Sequence, residues 1–327
     1  MNKQADFRAK MELPYNVKVA YAETRIHEFI KTCGKDTFVA VGGLDSITLL
    51  QFIRSLGYNI PAVSVSSIED KTVREVHRKM NVIEVKPLKS KYHICRDIGY
   101  PVFSKEVAKK VYVITHPTEK NERYRHVIVT GETTERAAVR NSTITKLPDK
   151  YLDLFYYNSC PVSVSDKCCY YMKEKPVQQW VKDNNAFPFL GLHADESRRR
   201  FLSLSKNGCN MYGNNARSAP FAIFTKSDIL HLADDIKAPI PTVYGNIITD
   251  GTTWKTTGQA RTGCDICGFG IQFEKTRPHR FDILYQTDPK KWNFWINTMQ
   301  YGALFDYIGF EYKQPFNVGD SAWKGRG

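Results

Sequence analysis

Acidic residues are the scarce class in this sequence: 34 Asp and Glu stand against 47 Lys and Arg, a formal net charge of +13. That imbalance argues against a surface built to repel phosphate, and it suits nucleotides, nucleic acids or anionic membranes as partners. Long apolar runs are missing. No stretch approaches the roughly 18 uncharged apolar residues of a membrane helix, and Met1-Asn2-Lys3-Gln4-Ala5-Asp6 lacks the apolar run of a secretory signal, so a cytoplasmic protein away from the membrane is expected. Cysteine is sparse, with eight in 327 residues. So thin a supply argues against a disulfide framework, and an adjacent pair plus a C-x-x-C suits metal ligation in a reducing compartment. Two nucleotide signatures are also absent, G-x-x-x-x-G-K-[ST] and G-x-G-x-x-G, which argues against a GTPase-type or nicotinamide site.

Apolar material is plentiful, at 42% hydrophobic and 13% aromatic residues, enough to fill a substantial core. Between Tyr15 and Lys31, Val17, Val19, Ala20, Ile26, Phe29 and Ile30 recur at helical spacing and predict an amphipathic helix. Thr37-Phe38-Val39-Ala40-Val41 is continuously apolar and β-branched, as in a strand buried on both faces of a parallel sheet. Gly42 and Gly43 end it. Asp45 and Ser46 can cap the next segment, whose apolar face (Ile47, Leu49, Leu50, Ile53, Leu56) predicts a helix stopping at Gly57. The alternation repeats through a strand at Ala62–Val65, a helix at Lys71–Lys79 and a strand at Val82–Val85, which predicts βαβ units with right-handed crossovers. Further strands are expected at His126–Thr130 and within Phe187–Leu192, an irregular insertion at 141–167, a helix at Ser227–Asp235, turns across 245–263 and packed helices beyond Arg280. The fold class that follows is α/β, a parallel sheet with helices on both faces. Residues 1–240 are expected to form a nucleotide-binding domain and 241–327 a cysteine-rich helical region that is not independent.

The segment Val41-Gly42-Gly43-Leu44-Asp45-Ser46 lies between a predicted strand and a predicted helix. Glycines there let backbone N–H groups approach an anion at the positive end of a helix, and the Ser46 hydroxyl can add a donor. A Gly-Gly turn also serves without a ligand. Asp45 can support a magnesium ion bridging phosphates, or simply cap the helix. This loop resembles the SGGxDS signature of the PP-loop ATP pyrophosphatase (adenine nucleotide alpha hydrolase-like) superfamily, with Val41 where Ser is usual and Leu44 in the variable slot. The resemblance implies the PP-loop fold, an adenine nucleotide held through its phosphates by Val41 to Ser46, and catalytic roles for Asp45 and Ser46.

Cys168-Cys169 is followed at a distance by Cys264-x-x-Cys267. Four thiolates from two tight pairs can hold tetrahedral zinc or an iron–sulfur cluster. Directly adjacent ligands strain one tetrahedral centre, whereas a cubane offers separate iron corners; buried core thiols are the plain alternative. The run Cys168-Cys169-Tyr170-Tyr171 with Cys264-Asp265-Ile266-Cys267 resembles the CC…CxxC motif of the iron–sulfur adenylyl-sulfate reductases within the phosphoadenosine phosphosulfate (PAPS) reductase family. Gly191-Leu192-His193-Ala194-Asp195-Glu196-Ser197-Arg198 through Arg200 resembles that family's G-x-R-x-x-[EQ]-S-x-x-R element, with His193 replacing an Arg. GGLDS, CCYY and RTGC-x-x-CGFG are similar to segments of its phage and mobile-element members. The resemblance implies a [4Fe-4S] cluster on Cys168, Cys169, Cys264 and Cys267, and an anion-binding role for Arg198 and Arg200. The family's reductases attack sulfur with a cysteine in a C-terminal motif; this sequence has none after Cys267, so that route is not expected here.

Arg261 and Lys173 are candidates to bond and tune the cluster, with a surface ion pair as the plain alternative. Cys33, Cys95, Cys160 and Cys209 are expected to be structural, and His93, His193, His231 and His279 show no metal spacing. The expected function is that of an adenine-nucleotide-binding iron–sulfur protein in sulfur transfer or sulfonucleotide metabolism. ATP or a related nucleotide, Mg²⁺, a tRNA or DNA acceptor suggested by the charge, and a donor of electrons or sulfur are its expected partners. A nucleotide- or redox-sensing iron–sulfur protein and a zinc-stabilised binding protein are the alternatives.

Overall fold

The computed structural model describes residues 3–132, 145–213, 215–259, 262–264, 266–274 and 277–312. In chain order the strands are β1 (Thr37–Ala40), β2 (Ala62–Ser64), β3 (Ile83–Glu84), β4 (Val102–Phe103), β5 (Phe187–Leu190), β6 (Asn210–Met211), β7 (Arg217–Ser218), β8 (Ile247–Thr249), β9 (Trp254–Thr256) and β10 (Gly268–Phe269). Two compact units share them, one built on Met1–Lys86 and Lys175–Cys264, the other on Pro87–Glu174 and residues that follow Cys264. The expected boundary at 240/241 thus falls inside the first unit. The chain stays there because Trp254 of β9 stacks on His231 of the preceding helix, Lys226–Asp235.

The first unit is an α/β layer structure around a mostly parallel sheet of order β3-β2-β1-β5-β7-β6, in which β6 runs antiparallel to β7. Central β1 pairs Val39 with Ala62 on one side and with Phe189 on the other. Neighbouring residues of a strand point to opposite faces. Phe38 meets Trp180 of the helix Lys175–Asn184, while Val39 joins the large core with Ile26 and Phe29 of Tyr15–Cys33 and Leu49 of Leu44–Ser55. Both faces of the sheet are therefore covered, as a parallel sheet requires.

The second unit is mainly helical, with a small parallel pair of β4 and β10. Residues 126–130, expected as a strand, belong instead to the helix Glu122–Thr130. Their β-branched run has strand propensity, but consecutive Val127 and Ile128 are both buried, and Gly131 closes the helix in the left-handed region at φ 82°. The stretch expected to be irregular at 141–167 contains the helix Asp149–Phe155, anchored by buried Tyr151, Leu152 and Phe155; residues 141–144 lie outside the described residues. In the first unit, the turns expected across 245–263 include the hairpin β8–β9, whose tip is ordered by Asp250 accepting from the amides of Thr252 and Thr253.

Candidate functional site

The order of strands places a switch point beside β1. From β1 the chain moves outward to β2 and β3, then returns to β5 on the other side. In such sheets ligands bind in the crevice beyond the carboxyl ends of the two strands flanking this reversal. A cavity of about 610 Å³ lies there, lined by Ala40, Gly42 to Ser46, and Leu190 to His193. Gly191 is needed for this approach: a Cβ on it would stand 2.8 Å from Ser46 Cα and 2.9 Å from Ser46 N.

Gly43 is the cap residue of the helix Leu44–Ser55, whereas Asp45 and Ser46, expected as caps, sit inside its first turn. The Ser46 hydroxyl accepts from Gly42 N–H at 2.7 Å and donates to the Gly43 carbonyl at 2.8 Å, so it shapes the loop. His77 props the loop from behind. Its Nε2 lies 2.8 Å from the Gly42 carbonyl, which can only accept, so Nε2 carries the proton and Nδ1 accepts from the Ser66 hydroxyl at 2.9 Å. Burial holds the His77 pKa below its ordinary value despite the Gly42 bond, in keeping with the neutral form. Leu44 N–H donates to Tyr244 Oη at 3.1 Å, and Tyr244 Oη lies 2.7 Å from Thr262 Oγ1. Among the described residues the amides of Gly43 and Asp45 have no hydrogen-bond partner, at the positive end of a helix dipole.

The side chains around this loop are charged. Lys226 Nζ binds Asp45 Oδ1, and His193 Nε2 stands 3.6 Å from Asp45 Oδ2. Burial alone would raise the Asp45 pKa, but His193 and the Lys226 ammonium outweigh it and keep the carboxyl below its usual range, hence ionised. His193, passed over in the sequence, is buried with its Nδ1 unpaired among the described residues, and it lines the cavity. The RRR run divides: Arg200 lines the cavity and pairs with Glu196 at 2.8 Å, whereas Arg198 is exposed and outside the lining. Val41 also lies outside it, its amide bonded to Val63 O in the sheet. Lys226 and Tyr244 belong to no recognisable motif, and only the fold brings them to the loop.

Three of the four motif cysteines belong to the second unit. Cys168 and Cys169 close the short helix Lys167–Cys169, followed by a π-helical turn, Tyr170–Glu174; such turns are enriched at functional sites. Pro176 follows two residues later and lacks an N–H, which disfavours a regular α-helical ladder there. Cys267 is positioned through its backbone: Arg280 Nη1 donates to the carbonyls of Cys267 at 2.8 Å and Phe269 at 3.1 Å. Gly268 pairs with Val102 so closely that a Cβ would stand 2.4 Å from Pro101 O. Buried Tyr301 donates to Ile266 O at 3.2 Å, and Ile266 sits at φ 58°, a strained conformation for a β-branched residue. Burial raises the Cys169 pKa, with Lys105 opposing and Cys267 adding to the rise. Cys264 ends the first unit, three residues before Cys267 in the chain. The donor set is all thiol, which fits zinc or iron–sulfur ligation. Among the described residues no group of three or more His, Cys, Asp or Glu side chains is placed to hold a metal ion. Arg261 lies outside the described residues. Cys95, expected to be structural, is buried beside Tyr301, and its pKa is pushed up to about 12 by burial.

Comparison with models of known protein families gives no match, and neither does comparison with curated proteins.

Proposed function

We propose that this chain is a PAPS reductase-like member of the PP-loop superfamily that binds ATP or an adenylyl-sulfate-type nucleotide and acts in sulfur transfer or sulfonucleotide metabolism. The carrying observation is the crevice at the carboxyl ends of β1 and β5, where Gly43 and Asp45, whose amides have no partner among the described residues, stand at the start of a helix and line a cavity with Lys226 and Arg200. Two amides at a helix N-terminus suit phosphate oxygens, and nearby cations suit their charge.

In this reading the amides of Gly43 and Asp45 form the cradle, Ser46 fixes its shape through Gly42, and Tyr244 holds the Leu44 amide. Ionised Asp45 would hold Mg²⁺ against the phosphates, and Lys226 would exchange Asp45 for a phosphate oxygen when the nucleotide enters. Arg200 is the member of the arginine run placed to assist; Arg198 receives no ligand role. Cys168, Cys169, Cys264 and Cys267 would hold a [4Fe-4S] cluster, which when bound supplies one-electron chemistry and iron able to bind sulfur. The net charge of +13 supports a nucleic-acid acceptor, tRNA or DNA, activated by adenylation with release of pyrophosphate.

Anaerobically prepared protein tests this directly. It should contain about four irons and about four acid-labile sulfides per chain, and should convert ATP to AMP and pyrophosphate faster when tRNA or DNA is added. Asp45→Asn should retain the iron and lose turnover by about 100-fold. Stoichiometric zinc without sulfide overturns the cluster assignment, and absence of ATP binding overturns the nucleotide site.

A further inference from the structure

The cavity that holds Gly42 to Ser46 is also lined by the last ring of an aromatic column. Tyr15 stacks on His231 with centroids 3.8 Å apart and planes at 17°, and His231 stacks on Trp254 at 4.6 Å and 13°. The column is fixed to its surroundings. Tyr15 donates to Asp235 Oδ2 at 2.6 Å, and the backbone N–H of Trp254 donates to Ser227 Oγ at 2.9 Å. Among the described residues no further ring packs on Trp254, and the indole shares the cavity wall with Leu192 and Leu230.

The lining is thus of two chemical kinds. Amides and a lysine suit phosphate, whereas a terminal aromatic ring beside aliphatic side chains suits a flat heteroaromatic ring. A ligand with both parts is a nucleotide. We infer that Trp254 is the base platform of this site: the purine of the bound nucleotide stacks on the indole as the fourth ring of the column, while its phosphates lie against Gly42 to Ser46. This deepens the nucleotide reading and rests on it. Because the indole is already held by His231, little side-chain freedom is lost when a base arrives, which favours affinity.

Calorimetric titration of the full-length protein with ATP and with inorganic tripolyphosphate separates the two claims. Trp254→Ala should weaken ATP binding about 5- to 150-fold, the range of base–aromatic stacking, and leave tripolyphosphate binding unchanged. Trp254→Phe, which keeps a ring, should stay within about threefold of the parent. Trp254→Leu, which keeps bulk without a ring, should behave as Trp254→Ala and carries the comparison if the alanine variant fails to fold. Parent-like ATP affinity in the variants lacking a ring, or an equal loss for tripolyphosphate, overturns the platform while leaving the phosphate cradle standing. If the parent protein binds neither compound, the nucleotide site itself falls and the platform with it.

Discussion

His77 illustrates how a side chain outside the motif governs the loop within it. Its imidazole is 1% exposed and bridges Ser66 to the Gly42 carbonyl. Burial keeps it neutral in the folded chain, whereas an unfolded histidine takes up a proton near about pH 6.5. The folded state therefore binds fewer protons below that point. Its advantage is complete above about pH 6.5 and is lost as the pH falls from there through the lower folded pKa. His77→Gln can still donate to Gly42 and accept from Ser66, but it does not titrate. It should cost about 1 kcal/mol at pH 7 and flatten the decline in stability as the pH falls below about 6.5. Urea denaturation across that range is the measurement; a decline as steep as the parent's would assign it to other groups. The Asp45 pKa is lowered as well, there because His193 and Lys226 secure the ionised form against the cost of burial, so its contribution also fades as the pH falls. Neither the Lys226 contact nor the His77 prop was legible in sequence, because the partners stand 181 and 35 residues away.

Elements that announce themselves by periodicity were legible: β1 and β2, the helix after the glycine loop, β5 and the helix Lys226–Asp235 all fall where apolar spacing predicts them. The helix Glu122–Thr130 did not, because its β-branched residues carry a strand-like local preference that burial of Val127 and Ile128 overrides. The π-helical turn after Cys169 has no periodic signature at all. Packing between elements is equally hidden. Gly42 and Gly191 look alike in sequence, yet a Cβ on Gly42 would find nothing closer than 3.9 Å, whereas one on Gly191 would strike the backbone of Ser46 at 2.8 Å. Gly191→Ala must therefore drive the end of β5 away from the start of Leu44–Ser55. We expect a loss of about 1–3 kcal/mol in stability with weaker ATP binding, while Gly42→Ala stays within about 0.5 kcal/mol of the parent. Denaturation of both variants checks this, and equal effects would show that the tight approach is not what Gly191 provides.

At the scale of the whole molecule, the chain leaves its first unit after Lys86, returns at Lys175 and leaves again after Cys264. No linker composition marks these crossings, since each unit closes its own core from noncontiguous segments. The C-x-x-C itself straddles the last one. Net charge, by contrast, is fully legible in the sequence and acts over the entire surface. With 47 basic against 34 acidic residues, a nucleic-acid acceptor would be held largely by its phosphates, and each neutralised phosphate releases a counterion. A complex with duplex DNA that neutralises about four phosphates should weaken about 150-fold between about 50 and 200 mM salt. ATP binding at the buried loop should respond far less, because its contacts are screened less than exposed ones. Filter binding of labelled DNA and calorimetry with ATP, run over the same salt series, separate the two. DNA affinity that stays level across the series would mean that the positive surface does not recruit the acceptor, and the case for a nucleic-acid substrate would fall while that for the nucleotide remained.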